Sequence, residues 1–273
     1  MLLLWIFSLA ASFLLPATGE VVHNFSTCSD FFLDGTPPQL ERENTSRICQ
    51  MYKNQYRFAT LYDRKGRIPV FSAYKYQPGK GKRINNWKIE PQLALPENQQ
   101  RRSMESEKTC NISEEILKKS QAVVKDYKNC ANFDRGHLLP VSHQGDQDSK
   151  DATFTLTNIV PQFCHLNKNK WAEYENNMKN YTRGCLNTYV IVGVVPGNNV
   201  LNRRVNIPSY IWAAACCVLQ NNQRKSWAVL AQNNVDKVDY HTLEELQAQL
   251  SNLYGNRTDL FNNACNATSG LQN

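Results

Sequence analysis

The feature that most restricts the fold of this chain is a short row of reactive residues, Asp134-Arg135-Gly136-His137, followed by Leu-Leu-Pro. Histidine is the one side chain whose ordinary pKa lies near neutrality, so His137 is the first candidate for proton transfer. Gly136 lets the backbone adopt shapes, or make close approaches, that a Cβ atom would prevent. Alone, this row is equally compatible with a solvated surface turn, and the decision depends on a second pattern downstream.

In that second pattern, Asn167, Trp171 and Glu175 are spaced four residues apart. A helix that begins near Asn167 would place all three along one face. A carboxamide oxygen and a carboxylate are hard ligands, of the kind that Mg²⁺ accepts while it keeps several waters. Each residue also has a purely structural explanation: Asn167 as a helix cap, Trp171 as core and Glu175 as a solvated charge. Without the histidine row, these explanations would be preferred.

Together the two patterns resemble the DNA/RNA non-specific endonuclease family. Its members carry Asp-Arg-Gly-His and then Asn-x-x-Pro-Gln-x-x-x-x-Asn-x-x-x-Trp-x-x-x-Glu, and this chain agrees with every spacing inside the second motif. The matching residues of that motif are Asn158, Pro161, Gln162, Asn167, Trp171 and Glu175. Further matching segments, at residues 31–32, 35–38, 48–50, 57–62, 67–70 and 213–217, extend the resemblance over nearly the whole mature chain. The resemblance implies an α+β, ββα-metal (His-Me finger) nuclease fold, with a central, mostly antiparallel sheet flanked by helices.

The resemblance also implies a division of chemical roles. His137 would be the general base that takes a proton from water, and Asn167 would be the one direct protein ligand of Mg²⁺, or of Mn²⁺. Glu175 would hydrogen-bond the waters on that ion. Arg135 would help to bind or polarise phosphate, and Asp134 would orient the histidine loop.

Two further positions are left open by the sequence. Asn158 would help to fix the site, although a role in capping a strand end explains it equally well. Residues 85–88 read Asn-Asn-Trp-Lys and are similar to the family's Arg-Asn-Trp-Lys, whose arginine contacts phosphate. Arg83 is the nearest arginine, and it ends a basic, glycine-rich stretch at residues 78–83. This stretch is as compatible with a solvated hairpin tip as with a phosphate contact.

The net charge of +7 is compatible with a polyanionic partner. The resemblance implies that this partner is the phosphate backbone of DNA and RNA, read with little sequence preference. The length fits one large domain, which we assign to residues 20–273. The rival class is a binding module on a nuclease fold that has lost activity, for example a protein or glycan binder in extracellular immunity. Such a binder has no need to retain His137 with Asn167 and Glu175.

Residues 1–19 hold no charged side chain and are mostly apolar, which predicts a secretory signal peptide. No later stretch is long and apolar enough to cross a bilayer. Nine cysteines and six Asn-x-Ser/Thr sequons fit a secreted, extracellular glycoprotein. The cysteine count is odd, and a pairing of Cys110 with Cys130 is only a guess. A zinc site around Cys164 and His165 lacks the paired Cys-x-x-Cys that would support it.

Periodicity predicts the remaining elements. Strands are expected at residues 57–62, 68–76, 153–160, 189–195, 210–219 and 227–232. Helices are expected at residues 113–120 and 168–181, and after Thr242, where Glu245 completes a capping box. Residues 20–49 are expected to be irregular, as are residues 142–152, with His143 exposed.

Overall fold

The structure, a computed structural model, describes residues 21–40, 42–98, 100–128 and 132–265. The signal peptide expected at residues 1–19 lies outside these ranges and stays a prediction, as does the division into a leader and one domain at residues 20–273. Cys130 is also outside the described residues, so its pairing with Cys110 is not decided. Among the helices described, none has the length and apolar character needed to span a membrane.

An antiparallel sheet forms the centre of the fold. The strands, in chain order, are β1 (Val21–Val22), β2 (Thr45–Tyr52), β3 (Gln55–Asp63), β4 (Ile68–Lys75), β5 (Lys88–Ile89), β6 (Glu105–Ser106), β7 (Phe133–His137), β8 (Ile159–Phe163), β9 (Asn187–Val195), β10 (Asn199–Leu201), β11 (Val205–Ile207), β12 (Tyr210–Val218), β13 (Arg224–Gln232) and β14 (Asp239–His241). In the part of the chain that is described, eight of them form one sheet in the order β1-β2-β3-β4-β9-β12-β13-β14, with every neighbouring pair antiparallel. The pairs β5–β6, β7–β8 and β10–β11 form separate ribbons.

Helices lie on both sides of this sheet. They are α1 (Pro91–Ala94), α2 (Glu114–Ser120), α3 (Gln147–Ala152), α4 (Cys164–Lys168), α5 (Lys170–Tyr181) and α6 (Leu243–Tyr254). Short 3₁₀ segments also occur between the elements, including Phe25–Phe31, Val141–His143 and Leu156–Asn158. The α+β class with a large antiparallel sheet is confirmed.

The sheet is buried on both faces, which explains its apolar central strands. Side chains alternate along β12. Ile211 and Ala213 belong to the core on the side of the histidine ribbon, with Trp171 of α5. Trp212 and Ala214 belong to the opposite core, which also contains the leucines of α6. A strand that is buried on both faces becomes apolar at nearly every position, as β12 is.

Two adjacent cysteines use the same alternation. Cys216 and Cys217 of β12 point to opposite cores. Cys216 pairs with Cys265, while Cys217 pairs with Cys185. A third disulfide joins Cys28 to Cys49 and ties the first 3₁₀ turn to β2. These bridges fit the oxidising compartment that the sequence predicts.

The local signals in the second half of the chain are confirmed. The strands expected at residues 189–195, 210–219 and 227–232 correspond to β9, β12 and β13. The N-terminus of α6 is a capping box, since Thr242 Oγ1 accepts from the Glu245 amide at 3.1 Å and Glu245 Oε2 accepts from the Thr242 amide at 2.9 Å. Leu246 and Leu250 are fully buried, whereas Leu253, the last position of the expected stripe, is 38% exposed.

Three expectations about the first two thirds of the chain are wrong. Residues 20–49 are not irregular throughout, because β2 starts at Thr45 and pairs along β3. The strand expected at residues 153–160 is mostly a turn, and β8 begins only at Ile159. The loop expected at residues 142–152 contains α3, whose N-cap Asp146 accepts from the Ser149 amide.

The polar–apolar alternation at residues 153–157 does not come from a half-exposed strand. Thr155 and Thr157 are completely buried, and both hydroxyls donate to Glu90 Oε1, at 3.0 and 3.3 Å. Glu90 itself is completely buried. The polar positions therefore face an internal hydrogen-bond network rather than solvent.

Candidate active site

The histidine row lies on β7, which pairs antiparallel with β8. His137 is opposite Ile159, and Asp134 is opposite Gln162. Because side chains alternate along a strand, Arg135 and His137 point to one face of this ribbon while Asp134 points to the other. The two faces have different surroundings, and these decide what each residue can do.

An aromatic cluster holds the His137 ring. The ring centroid lies 5.1 Å from that of Phe154, in an edge contact, and 5.6 Å from that of Trp87. Trp87 and Phe154 also contact each other edge-on at 5.2 Å. His137 is 8% exposed. Packing against two aromatic rings therefore restricts its orientation.

Hydrogen bonding defines the state of the two ring nitrogens of His137. The backbone carbonyl of Arg135 accepts a hydrogen bond from the ring. Nε2 is buried and has no hydrogen-bond partner among the described residues. The donor is therefore Nδ1, and Nε2 carries the free lone pair.

The surroundings also keep this histidine uncharged. Burial, and then the positive charge of Arg83, lower the pKa of His137 to about 3, against the smaller opposing effect of the bond to Arg135. A lowered pKa means that the neutral ring dominates at neutral pH. Nε2 can therefore accept a proton without first losing one.

Gly136 is required by close packing on the ribbon. A Cβ atom at this position would lie 2.2 Å from Gln162 Oε1 and 2.5 Å from Gln162 Cβ. Both distances are far below an ordinary van der Waals contact. Gln162 is itself 1% exposed, so it has little room to move. The glycine of the row thus lets the two strands approach each other beside the histidine.

The opposite face of β7 carries a contact that the sequence did not predict. Asn167 Nδ2 donates to Asp134 Oδ2 at 3.1 Å, and the ammonium group of Lys168 lies 3.3 Å from the same oxygen. The sequence analysis expected Asp134 to orient the histidine loop. Its contacts show that it orients the carboxamide of Asn167, and its expected effect on the histidine loop stays a prediction.

Asn167 has one end of its carboxamide free. Its Oδ1 has no hydrogen-bond partner in the described ranges, while Nδ2 is held by Asp134. Asn167 lies in α4 rather than at the start of a continuous helix, because Asn169, with φ of −112° and ψ of −94°, separates α4 from α5. The expected single helix over residues 168–181 is therefore α5 alone, preceded by a separate turn that carries Asn167.

Glu175 lies on α5 together with Trp171. The two are one helical turn apart, and the Trp171 side chain donates a hydrogen bond to the Glu175 carboxylate. Burial raises the pKa of Glu175 to about 8, although this hydrogen bond and the charge of Arg83 oppose the rise. Glu175 as a residue is half-buried, so its carboxyl group is removed from water in part, and a nearby cation would favour its anion.

His143 is buried and not exposed, contrary to the sequence-based expectation. It is 2% exposed, and its Nε2 donates to the Glu175 backbone carbonyl at 3.0 Å. Since Nε2 is the donor, Nδ1 accepts from the Tyr74 hydroxyl, at 2.9 Å. Burial lowers the pKa of His143 to about 4. This neutral imidazole connects the central sheet to the helix that carries Glu175.

The two arginines near the site have different surroundings. Arg135 places its guanidinium carbon 5.1 Å from the Trp87 centroid and 5.9 Å from that of Tyr127, and donates to the Val124 carbonyl at 3.4 Å. This arrangement gives it a packing role, and its expected contact with phosphate stays a prediction. Arg83 is exposed and stacks on Phe154 at 5.1 Å.

Asn158 is a positioning residue. Its Oδ1 accepts from the Leu139 amide and the Ser72 hydroxyl, both at 3.0 Å. Its Nδ2 donates to the carbonyls of Leu139 and Thr153, also at 3.0 Å. The carboxamide is completely buried and fully used. It therefore fixes the chain that leaves His137 and has no free group for a substrate.

The structure thus brings together some of the expected site residues and not others. The charge of Arg83 acts on both His137 and Glu175. Asn167 is joined to Asp134, and within the described residues no hydrogen bond connects it to His137 or Glu175. Their convergence on one cation stays a prediction. Among the described residues, no three His, Cys, Asp or Glu side chains are grouped as a metal site; a site built on one carboxamide is of a different kind.

Sequence reasoning did not find Phe154 or the buried state of His143. Phe154 follows a threonine in a polar–apolar stretch and carries no local signal of a site. The two side-chain contacts of His143 reach residues that are 69 and 32 positions away along the chain. Such contacts exist only after folding.

Comparison with known sequences gives a consistent result. The family model described as DNA/RNA non-specific endonuclease matches residues 36–268. The human endonuclease domain-containing 1 protein is 30% identical over 256 residues, which is 92% of this chain and 50% of that protein. Human mitochondrial endonuclease G is 40% identical over 74 residues, or 27% of this chain and 25% of that protein. The chain therefore spans about half the length of the endonuclease domain-containing 1 relatives, the mouse protein included.

Comparison with solved structures supports the fold. A chain from the crystal structure of an EndoG/EndoGI complex superimposes with a TM-score of 0.57 at 15% identity, covering 82% of this chain and 88% of the other. At this identity the similarity concerns the fold alone. It confirms the expected ββα-metal nuclease architecture.

Proposed function

Because the chain belongs to the DNA/RNA non-specific endonuclease family, we propose that it is a secreted, Mg²⁺-dependent enzyme that hydrolyses phosphodiester bonds of DNA and RNA with little sequence preference. The observation that carries this proposal is the state of His137. A buried imidazole whose Nε2 has no partner among the described residues packs on Phe154 together with the exposed Arg83, and is placed to remove a proton from water next to a phosphate.

His137 acts as the general base of the proposed reaction. Nδ1 stays bonded to the Arg135 carbonyl, so the proton of the attacking water goes to Nε2. The imidazolium ring that forms is stabilised by this same bond. The aromatic packing of His137 keeps Nε2 in one direction and reduces the entropy lost on reaching the reactive geometry.

Two features of the described residues fit a hard divalent cation, Mg²⁺ or Mn²⁺. The free Oδ1 of Asn167 is an oxygen ligand fixed in orientation by Asp134. Glu175 is a half-buried acid whose anion a positive neighbour would favour, and it would hold waters of the ion. When bound, such an ion stabilises the charge on the phosphate and on the leaving oxygen. One neutral ligand suits Mg²⁺, which keeps most of its water shell.

Arg83 is the phosphate-binding cation of the proposed site. Asn85 occupies the position of the family's arginine and has no charge to offer. Arg83 is exposed and close enough for its charge to act on both His137 and Glu175. Stacking on Phe154 leaves the edge of the guanidinium group free for two parallel hydrogen bonds to phosphate oxygens. Contacts of this type read the backbone and not the bases, which accounts for low sequence preference.

Secretion is supported by features outside the site. Three disulfides are formed in the described residues. The sequon asparagines Asn24, Asn44, Asn111, Asn180 and Asn256 are all exposed, as attachment of a glycan requires. The sixth, Asn266, lies outside the described residues.

The alternative is a nuclease-fold binding module without activity, in extracellular immunity. It is kept open by the relatives, which are about twice as long as this chain. The unpartnered Nε2 of His137 argues against it, since a binding surface gains nothing from a buried polar atom without a partner.

The decisive experiment uses the protein recovered from the medium of expressing cells. The proposal expects it to nick plasmid DNA and to degrade RNA with Mg²⁺, and to stop when EDTA is added. Intact plasmid after incubation with Mg²⁺ or Mn²⁺ would support the binding module, and protein retained inside the cells would reject secretion.

A further inference from the structure

Beside the proposed site lies a basic loop, residues 78–83, whose cations have no acidic partners. Lys80, Lys82 and Arg83 are all exposed. Within the described residues, none of the three forms an ion pair with a carboxylate. The acids at the start of α3 are already paired, Asp146 with Arg57 and Asp148 with both Arg57 and Lys53, while Asp151 of the same helix accepts from Gln147 Nε2 at 2.8 Å. The loop therefore presents uncompensated positive charge.

The loop is fixed in place by its backbone. The Lys82 amide donates to Gln147 Oε1 at 2.9 Å, and Gln147 Nε2 donates back to the Lys82 carbonyl at 3.0 Å. The Gln77 amide donates to the His143 carbonyl at 3.0 Å. These bonds leave the lysine side chains free while they hold the main chain, so binding a ligand would cost little ordering of the loop.

Glycines make this close docking possible. A Cβ atom on Gly79 would lie 2.6 Å from the carbonyl oxygen of Gly145. Gly81 has a φ of +150°, and a Cβ atom there would lie 2.8 Å from two side-chain carbons of Lys150. Lys150 is buried and donates to the Val141 carbonyl at 3.2 Å. Each glycine thus lets the basic loop lie directly on the segment that contains His143 and α3.

The position of the loop connects it to the proposed chemistry. Arg83 ends the loop, and its guanidinium carbon lies 5.1 Å from the centroid of the Phe154 ring, which contacts the His137 ring edge-on at 5.1 Å. The segment on which the loop packs also contacts the proposed site, since His143 Nε2 donates to the backbone carbonyl of Glu175. A polymer whose phosphate lies at Arg83 would therefore pass neighbouring phosphates close to Lys82 and Lys80.

We propose that residues 78–83 form a strand-binding site that holds the phosphates next to the one being cut, with Lys80 and Lys82 as its contacts. This inference rests on the proposed function and specifies how a polynucleotide is held. The contacts are electrostatic and independent of base identity. They raise affinity for polymers and do not take part in bond cleavage.

The test uses a matched pair of double variants that remove the same charge. Lys80→Gln/Lys82→Gln changes the loop. Arg64→Gln/Lys65→Gln changes two exposed cations without acidic partners among the described residues, at the turn before β4. The length of β4, roughly 23 Å at about 3.3 Å per residue, separates this turn from the loop at residues 78–83. Both doubles are made with His137→Ala, so that binding of a labelled oligonucleotide in EDTA is measured without cleavage.

The loop double variant is expected to bind the oligonucleotide about 5- to 25-fold more weakly than its His137→Ala parent. Between about 50 and 200 mM salt, its slope of log affinity against log salt should be shallower by roughly 1.4 to 1.8, the value for two lost phosphate contacts. The turn double variant should match the His137→Ala parent in oligonucleotide affinity and in salt slope. In the active background, the loop double variant should raise KM for plasmid DNA and leave kcat nearly unchanged.

Several results would overturn the inference. The first is an unchanged oligonucleotide affinity and salt slope in the loop double variant. The second is an equal loss of affinity in the loop and turn double variants, which would reflect net charge alone. A third is loss of heparin binding with oligonucleotide affinity retained, which would assign the loop to another polyanion. Because binding is measured without cleavage, these results are separate from the plasmid assay. A parent that binds strands but never cuts would reject the enzyme and leave the loop in place.

Discussion

The carboxamide of Asn167 donates a hydrogen bond to Asp134 Oδ2 at 3.1 Å, across 33 positions of sequence. A carboxylate only accepts, so this contact fixes which end of the carboxamide carries the nitrogen. Oδ1 is then the end available to a cation. The first residue of the histidine row thus sets the orientation of the proposed metal ligand, while the last residue provides the base.

This relationship predicts the effect of Asp134→Ala on the metal requirement. Without the acceptor, the Asn167 carboxamide can rotate, and the Mg²⁺ concentration for half-maximal cleavage should rise about 10- to 100-fold. The rate at saturating Mg²⁺ should fall less. Initial rates of plasmid nicking across a Mg²⁺ titration measure both quantities.

Lys168→Gln is the control for this titration, because it removes the other polar contact of Asp134 and leaves the carboxamide bond intact. It should titrate like the parent. A normal Mg²⁺ titration in Asp134→Ala would show that the orientation of Asn167 does not matter for metal binding.

Arg83→Gln should show whether Arg83 acts at the site itself or only through the general charge of the protein. Loss of the phosphate-binding cation is expected to lower kcat/KM about 10- to 100-fold, since a charge-assisted contact of this kind contributes about 1.5–3 kcal/mol. Arg64→Gln removes one exposed charge at the far end of β4 and should have no effect. Equal losses in the two variants would contradict a specific role for Arg83.

The pKa of His143 predicts how stability depends on pH. Its folded-state pKa, about 4, lies below the ordinary value of 6.5. The protein therefore gains stability from the neutral ring above pH 6.5 and loses it as pH falls toward 4. The loss from His143 should be about 3 kcal/mol of unfolding free energy at pH 4. Urea unfolding at several pH values measures it.

His143→Phe provides the comparison for that measurement. The variant should be less stable at pH 7 by about 1–3 kcal/mol, because the Glu175 carbonyl and the Tyr74 hydroxyl lose a buried partner. Its unfolding free energy should also fall less steeply between pH 6.5 and 4 than that of the parent. Parallel curves for parent and variant would mean that His143 does not titrate in this range.

Local patterns in the sequence predicted the elements whose stability is local. The hairpin of β3 and β4 follows from two apolar, β-branched segments around a turn, and α6 follows from its capping box and leucine spacing. The candidate site residues were proposed from the spacing of two motifs. In each case, the signal lies within one short segment of chain.

What the sequence missed depends on distant partners. The alternation of β2 is interrupted by a register shift between Gln50 and Met51, and the buried Gln50 side chain donates to Thr157, 107 positions away. The threonines near Asn158 resembled a strand because their partner, Glu90, lies on another segment. The bond between Asp134 and Asn167 carried no local signal either, since the two residues meet only in the folded chain.

The most direct measurement is the cleavage rate of His137→Ala with saturating Mg²⁺, compared with the parent and with His23→Ala, which removes an exposed histidine. Loss of the general base should reduce the rate about 10²- to 10⁴-fold, while oligonucleotide binding persists and His23→Ala cuts normally. Cleavage by His137→Ala at the parent's rate would contradict the account, because the unpartnered Nε2 would then have no part in the reaction.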